Sequence, residues 1–265
     1  MKNVLIGMAV YSTEENKKDD CLERTLESLR NTVNFDVHKL MLSVNAKTER
    51  TENIILKYEQ LGVIDHVIYN PENLGTAEAI NLVWKKRQTG QHCIKMDDDV
   101  VIYQSGWIEL MIEAIRRKPE IGIIGLKRRD CWERPYEKSY EKESELIYLP
   151  QVAGEQCIIV EKANHIMGTC QLYNSNLLDK MGYLFQLSKY GYDDVMASHR
   201  SHVAGFINVF ISYIDIEHID PGNTPYQGWK ERSSSEVTAQ VIEIVHQWQR
   251  GERSIYYNPF TEVNA

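Results

Sequence analysis

Between Val4 and Leu126 the chain alternates short apolar runs with segments of helical periodicity, and this alternation narrows the possible folds more than any other feature. Strand-like runs occupy Val4 to Tyr11, Lys39 to Asn45, Val67 to Tyr69, Cys93 to Met96 and Ile121 to Leu126. Helix-patterned segments lie between them, at Asp20 to Arg30, Glu49 to Leu61, Thr76 to Arg87 and from Trp107 onward. A β-α-β-α order of this kind predicts an α/β fold with a mostly parallel central sheet flanked by crossover helices. The helix after the fourth strand is the best marked. Trp107, Met111, Ala114 and Ile115 form one apolar face, Glu113 and Arg117 are spaced to pair, and Pro119 ends it.

Past Leu126 the rhythm breaks. Lys127 to Glu155 mixes charged and aromatic residues around Pro135 and Pro150 and reads as an irregular excursion from the core layer. Strand patterning returns at Gln156 to Val160, Ile166 to Tyr173 and Asn208 to Ile216, with helices near Ser175 to Met181, from Asp193-Asp194, and at Glu236 to Gln249. Asp220 to Pro225 is turn chemistry. With 265 residues, 43% of them hydrophobic, the chain can build one sizeable core or two small ones, and length alone does not choose.

Composition also excludes some functions. A formal charge of -8 argues against a surface made for broad contact with phosphate backbones. The five cysteines are scattered, odd in number and without a CxxC pair, which fits reduced thiols and a cytoplasmic protein better than disulfides or structural zinc. Val4 to Val10 resembles a signal core but lacks a small-residue cleavage site, so it reads as a buried first strand. No apolar stretch reaches the ~20 residues of a spanning helix. Neither GxGxxG after strand one, nor GxxxxGK[ST], nor GxSxG occurs, so a dinucleotide oxidoreductase, a P-loop enzyme and an α/β-hydrolase lack their loops.

Ligands of open α/β sheets bind beyond the carboxyl ends of the strands. Those ends are polar here: Tyr11 to Asn16 after strand one, Asn45 after strand two, Asn70 to Gly75 after strand three, and Asp97-Asp98-Asp99 after strand four. In extended chain Asp97 and Asp99 would project to one side about 7 Å apart. Their repulsion, about 2 to 3 kcal/mol at an effective dielectric near 20, would be reversed by a divalent cation. Hard oxygen ligands suit Mn2+ or Mg2+ shared with a diphosphate. The alternative is an acidic loop in which Asp99 or Ser105 only caps backbone.

The run Ile94 to Val101 followed by Gly106-Trp107-Ile108 resembles the DxD segment of family 2 type glycosyltransferases with a GT-A fold. Two further pieces follow in the same register. Asn70 to Asn81 is similar to that family's N-x-G-x-x-x-A-x-N stretch near the donor, and Gly191 to Val195 resembles its later acidic pair. The resemblance covers about residues 3 to 220. It implies one catalytic domain, 1–220, with a nucleotide-binding half at 1–99 and an acceptor half at 100–220 that contains the irregular insertion 127–155. Residues 221–265 would add a C-terminal flap and helix.

It further implies metal-dependent transfer of a sugar from a nucleotide-diphosphate donor, a UDP-sugar being favoured, with inversion by direct displacement. Asp194, beside Asp193, would be the base; both carboxylates would also suit a helix N-terminus, and the two roles are compatible. Asp97, Asp99 and His218 would hold the metal, and His218 favours Mn2+ over Mg2+ if it is a ligand rather than a structural histidine. Ala9, Tyr11, Asn45, Asn73, Gly75, Asn81, Asp97, Asp98 and Lys230 would contact the donor, with Tyr11 stacking on the base. Asn73 and Gly75 equally fit a plain turn with an N-cap, and Lys230 a solvated lysine beside a packed tryptophan. Asn45 stands where many relatives carry an aspartate that recognises uracil, a departure that leaves the nucleotide open.

Gly168, Thr169 and Trp229 fall near the acceptor by position. The triplet Lys127-Arg128-Arg129 is either a solvated surface or a greeting for a charged acceptor. The acceptor itself is unassigned among glycans, lipid carriers, proteins and modified nucleic-acid bases. Two rival readings are an inactive sugar- or nucleotide-binding protein of the same fold and a nucleotidyltransferase. The latter typically carries a glycine- and arginine-rich loop after strand one, and Tyr11 to Asn16 has neither residue.

Overall fold

Strand β1, Val4–Tyr11, is apolar on both faces because it lies in the middle of a sheet covered on both sides. In the computed structural model, which describes residues 4–129, 145–149, 157–220 and 225–261, β1 pairs in parallel with β2, Lys39–Ala46, and with β4, His92–Met96. Beyond β2 lies β3, His66–Tyr69, also parallel. On the other side of β4 come β9, Cys170–Tyr173, then β6, Ile121–Leu126, β10, Ile207–Ile211, β8, Ile158–Ala163, and finally β7, Leu146–Leu149. The order is β3-β2-β1-β4-β9-β6-β10-β8-β7.

The sheet is therefore parallel in its N-terminal part and mixed beyond it. β9 runs antiparallel to both β4 and β6, β6 and β10 are parallel, and β8 and β7 close the far edge antiparallel. The expectation of a mostly parallel sheet holds for the half built from classical crossovers; the antiparallel entry of β9 leaves no periodicity signal, because a buried strand is apolar whichever way it runs.

Successive residues of a strand face opposite sides, and two apolar layers follow. Ile6, Met8, Ile94 and Leu172 pack with helices α1 (Asp19–Thr32), α2 (Glu49–Gln60) and α4 (Trp107–Arg117). Leu5, Cys93, Ile123 and Tyr173 pack with α3 (Thr76–Trp84), α5 (Ser175–Met181) and α6 (Asp193–Val203). Two helices end the chain, α7 (Pro225–Ser235) and α8 (Thr238–Gln249), and α8 buries Val241, Ile244, Val245 and Trp248 against Met196 of α6. α4 behaves as its sequence predicts: its apolar face is buried and Arg117 meets Glu113 at 2.6 Å.

Four local readings change. The strand expected at Asn208 to Ile216 is two elements, β10 and β11 (Ile216–His218). Part of the segment expected to be irregular is strand β7, while 130–144 and 150–156 lie outside the described residues. Helix α7 follows the expected turn chemistry at once. β5, Val100–Ile102, was not expected; it pairs antiparallel with β11 in a small second sheet. Its polar edge groups are satisfied by α1, where Thr25 Oγ1 accepts from Val100 N at 3.0 Å and Ser28 Oγ from Ile102 N at 2.8 Å. Among the described residues no helix is long and apolar enough to cross a membrane.

Candidate active site

The carboxyl ends of β1, β2 and β4 open into a cleft of about 740 Å³. After Met96 the chain bends, so Asp97, Asp98 and Asp99 do not alternate as they would in a strand. This alters the expected pairing of Asp97 with Asp99 on one cation: the bend turns their carboxylates to different partners, and two charge clusters form.

The first cluster gathers on Asp99. The β5–β11 ribbon sets His218 opposite Val100, and Ile219 N donates to Asp99 O at 2.8 Å, which brings His218 Nε2 to 3.3 Å from Asp99 Oδ1. Asp220 follows directly, and one ligand atom from each of Asp99, His218 and Asp220 lies within 4.8 Å of the others. Lys18, at the start of α1, reaches in from the opposite wall. Its Nζ bonds Asp99 Oδ2 and lies 3.7 Å from Asp98 Oδ1 and 3.6 Å from Asp220 Oδ2. Lys230 of α7 completes the group, 2.7 Å from Asp220 Oδ2.

Burial opposes the charge of Lys18, but Asp98, Asp99 and Asp220 outweigh it and hold the ammonium well above its ordinary pKa. Burial pushes Asp98 up to about 6, against the pull of Lys18. Burial would raise Asp99 too, yet Lys18 and His218 keep it far below the usual carboxylate range. Two carboxylates and an imidazole form a donor set that fits Mn2+. The fit is supported by Asp99 Oδ1, which is buried and, among the described residues, faces no donor except the His218 nitrogen.

The second cluster forms around Lys95. Lys95 lies in β4 and Asp97 just past its end, and Lys95 Nζ lies 2.9 Å from Asp97 Oδ1, 3.4 Å from Asp193 Oδ2 and 2.7 Å from Gly168 O. Antiparallel pairing of Met96 with Cys170 brings Gly168 and Thr169 alongside, and Asp97 N donates to Thr169 O at 3.1 Å. A Cβ on Gly168 would sit 2.5 Å from Lys95 Nζ, so a side chain there would displace the ammonium.

Asp193 and Asp194 begin α6, after Tyr192 adopts a left-handed φ of 63° that is unusual for a residue with a side chain. Asp194 Oδ2 accepts from Gly168 N at 2.9 Å and lies 3.1 Å from His165 Nε2, while Oδ1 accepts from Val195 N at 2.7 Å. Burial raises the pKa of Asp193 despite Lys95. It would raise that of Asp194 as well, but the hydrogen bond and charge of His165, with Lys95, carry Asp194 below its ordinary value.

Ala9, Tyr11, Asn45, Asn73, Gly75, Asp97, Asp98, Gly168, Thr169, Trp229 and Lys230 all line the cleft. Asn45 spends its amide on the loop beside it: Nδ2 donates to Gly75 O at 3.1 Å, and Oδ1 accepts from Asn70 Nδ2 and Leu74 N. Gly75 has φ 84°, and a Cβ there would come within 2.7 Å of the Lys189 backbone, so glycine is required by close approach. Asn81, expected at the donor, is 1% exposed and lies outside the cleft lining. It instead ties α3 to Leu184 by a reciprocal pair of hydrogen bonds at 2.9 Å. The basic triplet is divided: Lys127, buried 2.7 Å from Glu161, and Arg128 both line the cleft, and Arg129 pairs with Asp215 outside its lining.

Lys18, Lys95, His165, Tyr190 and Asp220 were not expected in the cleft, though all line it or adjoin it. Two carried a signal. Lys95 interrupts the apolar run Cys93 to Met96, and a charge inside a buried strand needs a partner. Lys18 precedes a helix start, where a cation opposes the dipole. His165 and Tyr190 carried none.

The comparisons agree with this geometry. A family model described as "Glycosyl transferase family 2" matches residues 10–182. No curated protein matches the chain. Among solved structures, the mannosyltransferase PcManGT from Pyrobaculum calidifontis, in complex with GDP-Man and Mn2+, superposes with a TM-score of 0.63 at 14% identity, over 97% of this chain and 66% of that one. S. aureus TarS 1-349 gives 0.62 at 13% identity, over 92% and 64%. GalNAc-T7 with UDP, GalNAc and Mn2+ gives 0.65 at 13% identity, over 93% and 49%. The chain thus spans no more than about two thirds of these chains' length. The fold is that of the GT-A glycosyltransferases, and with the family model matching well over half of its residues, the chain belongs to glycosyltransferase family 2.

Proposed function

We propose that the protein transfers a sugar from a nucleoside-diphosphate sugar to an acceptor hydroxyl or amine, with inversion at the anomeric carbon. The observation that carries the reading is the separation of roles between two clusters: Asp99, His218 and Asp220 in one, and Asp194, locked by Gly168 N and His165, in the other. Solved structures of the same fold contain GDP-Man or UDP together with Mn2+, which supports a nucleoside-diphosphate donor.

In this reading Asp99, His218 and Asp220 would hold Mn2+, which when bound draws charge from the leaving diphosphate. Lys230, 2.7 Å from Asp220, adds a positive charge on the same side. The loop fixed by Asn45 presents Gly75 and the start of α3 to the donor. Asp194 takes the acceptor's proton on the face away from the diphosphate; a carboxylate held below its ordinary pKa is ionised at neutral pH and available to accept it. Asp193 stays on Lys95 and keeps the turn before α6 in place. Tyr190 and Trp229, whose rings meet at 6.1 Å, form an aromatic wall against which a sugar face packs.

The test is to incubate the protein with Mn2+ and a panel of nucleotide sugars and acceptors, and to follow release of nucleoside diphosphate. Release that is lost in Asp99→Ala supports the transferase. Asp194→Asn should bind the donor as the wild type does and lose about 10² to 10⁴-fold in transfer, the range of a general base. Donor binding with no release for any acceptor would favour a binding protein, and normal transfer by Asp194→Asn would remove the base assignment.

A further inference from the structure

The carboxylate oxygens best placed for a divalent ion already have a cation among them. Lys18 Nζ bonds Asp99 Oδ2 and lies 3.6 Å from Asp220 Oδ2, so the ammonium and a divalent ion held by Asp99 and Asp220 would draw on the same two side chains. Asp98 and Asp99 are 7% and 3% exposed, and buried carboxylates this close are tolerated only with a counter-charge. Lys18 supplies it from within the chain.

Its backbone is fixed by the loop before α1, and its tip is held, among the described residues, by the carboxylates alone. Asn16 braces the loop before α1, accepting from Thr13 N at 2.9 Å and Lys18 N at 3.3 Å and donating to Tyr11 O at 2.9 Å. The four-carbon stem of a lysine lets the ammonium move a few ångströms without moving this loop. Tyr11 and Lys18 both line the cleft, so the space beside the ammonium is the space a donor would enter.

We propose that Lys18 is a resident cation of the site: a divalent ion enters only as the ammonium leaves Asp99 and Asp220, and the displaced ammonium turns to the donor's diphosphate. The inference rests on the reading of this cleft as a donor and cation site. It adds that the carboxylates are neutralised before any metal arrives, and that with no metal present the ammonium, still among the carboxylates, offers the diphosphate the positive charge a metal would otherwise supply.

Two measurements test it. Mn2+ binding is titrated by electron paramagnetic resonance, with no nucleotide added, for the wild type, Lys18→Met, Lys18→Gln and Asp99→Ala, all checked for folding by circular dichroism. Lys18→Met and Lys18→Gln should bind Mn2+ at least about ten-fold tighter than the wild type, because the competing charge is gone. Affinities equal to or weaker than the wild type overturn the proposal. Asp99→Ala separates the failures: if it binds Mn2+ as the wild type does, the ion sits elsewhere and the cation site of the proposed function falls; if it loses binding while the Lys18 variants match the wild type, only the role of Lys18 falls.

The second measurement needs no variant, so it stands even if substitution at Lys18 prevents folding. UDP and GDP are titrated into the wild-type protein by calorimetry, in EDTA and in Mn2+. At least one should bind in EDTA within about ten-fold to hundred-fold of its affinity in Mn2+. Tight binding in Mn2+ with none in EDTA shows that the ammonium does not take over the diphosphate, and overturns the proposal; no binding of either nucleotide under either condition removes the donor reading itself.

Discussion

Replacing Lys95 by methionine keeps an unbranched side chain one atom shorter and removes the charge from a position 3% exposed. Three partners lose their counterpart at once: Asp97 at 2.9 Å, Asp193 at 3.4 Å and the Gly168 carbonyl at 2.7 Å. Breaking a buried ion pair from one side costs about 3 to 5 kcal/mol, since the stranded carboxylate has little water to turn to. For a chain of this size each kcal/mol moves the melting temperature by roughly 2 to 4 °C, so the variant should melt on the order of 10 °C lower near pH 7.5.

The loss should shrink in acid, and the sign follows from Asp193. Burial already raises its folded-state pKa, and without Lys95 the pKa must rise further. Between the ordinary carboxylate pKa and that raised value the folded protein binds more protons than the unfolded chain, so stability grows as pH falls through the window. Wild type and Lys95→Met should therefore converge as pH is lowered from 8 toward 5. Scanning calorimetry across that range is the assay. A melting difference below about 2 °C at pH 7.5, or one that does not change with pH, would show that Lys95 is not the counter-charge argued for it.

Other variants probe the rest of the frame. His165→Ala removes the partner that holds Asp194 below its ordinary pKa, so the acid limb of the kcat/KM profile should move to higher pH while donor KM stays within about two-fold; an unmoved limb refutes the pairing. Gly168→Ala places a carbon 2.5 Å from Lys95 Nζ and should cost about 1 to 3 kcal/mol in denaturant unfolding, whereas Gly62→Ala, with nothing within 4 Å but a φ of 71°, should cost about 1 kcal/mol. Arg200 is fully buried and donates to the carbonyls of Met181, Tyr183 and Ile255, so Arg200→Leu should lose about 3 to 5 kcal/mol of stability and leave the end of the chain open to limited proteolysis.

What could be read from the residues was what local pattern encodes. β1 and β6 are continuous apolar runs, β2 and β4 are apolar runs broken by Ser43 and Lys95, and α4 carries its stripe, its ion pair and its stop, so each is specified within a dozen residues. The polar strand ends named most of the cleft, because the cleft is made of strand ends. What escaped depends on partners far along the chain. Val100–Ile102 is too short to carry a period, and it is a strand only because Ile216–His218 lies beside it. Asp97 and Asp99 part company because the chain bends after Met96, where extended geometry was assumed. Asn81 fits a donor motif by spacing, yet its amide is claimed by Leu184, more than a hundred residues away. Asp220 read as a turn residue, and its neighbours Lys18 and Lys230 come from opposite ends of the sequence.

The ribbon of β5 and β11 has a bearing on how such a chain can diversify. It fastens Asp99 to His218 and Asp220 through three facing residue pairs, at the rim of β4. β8 and β7, which follow β6 in the chain, form the far edge of the large sheet, with β7 outermost. Arg129, at the start of the chain between β6 and β8, donates its N–H to Ile216 O and so belongs to the ribbon's support, whereas β7 pairs only with β8 and, among the described residues, can be rewritten without touching the backbone bonds that hold Asp99, His218 and Asp220. On the proposed reading of the pocket, one unchanged anchorage for the activated phosphate can be carried through descendants, or through designed chimaeras, whose opposite bank is remade for a new recipient.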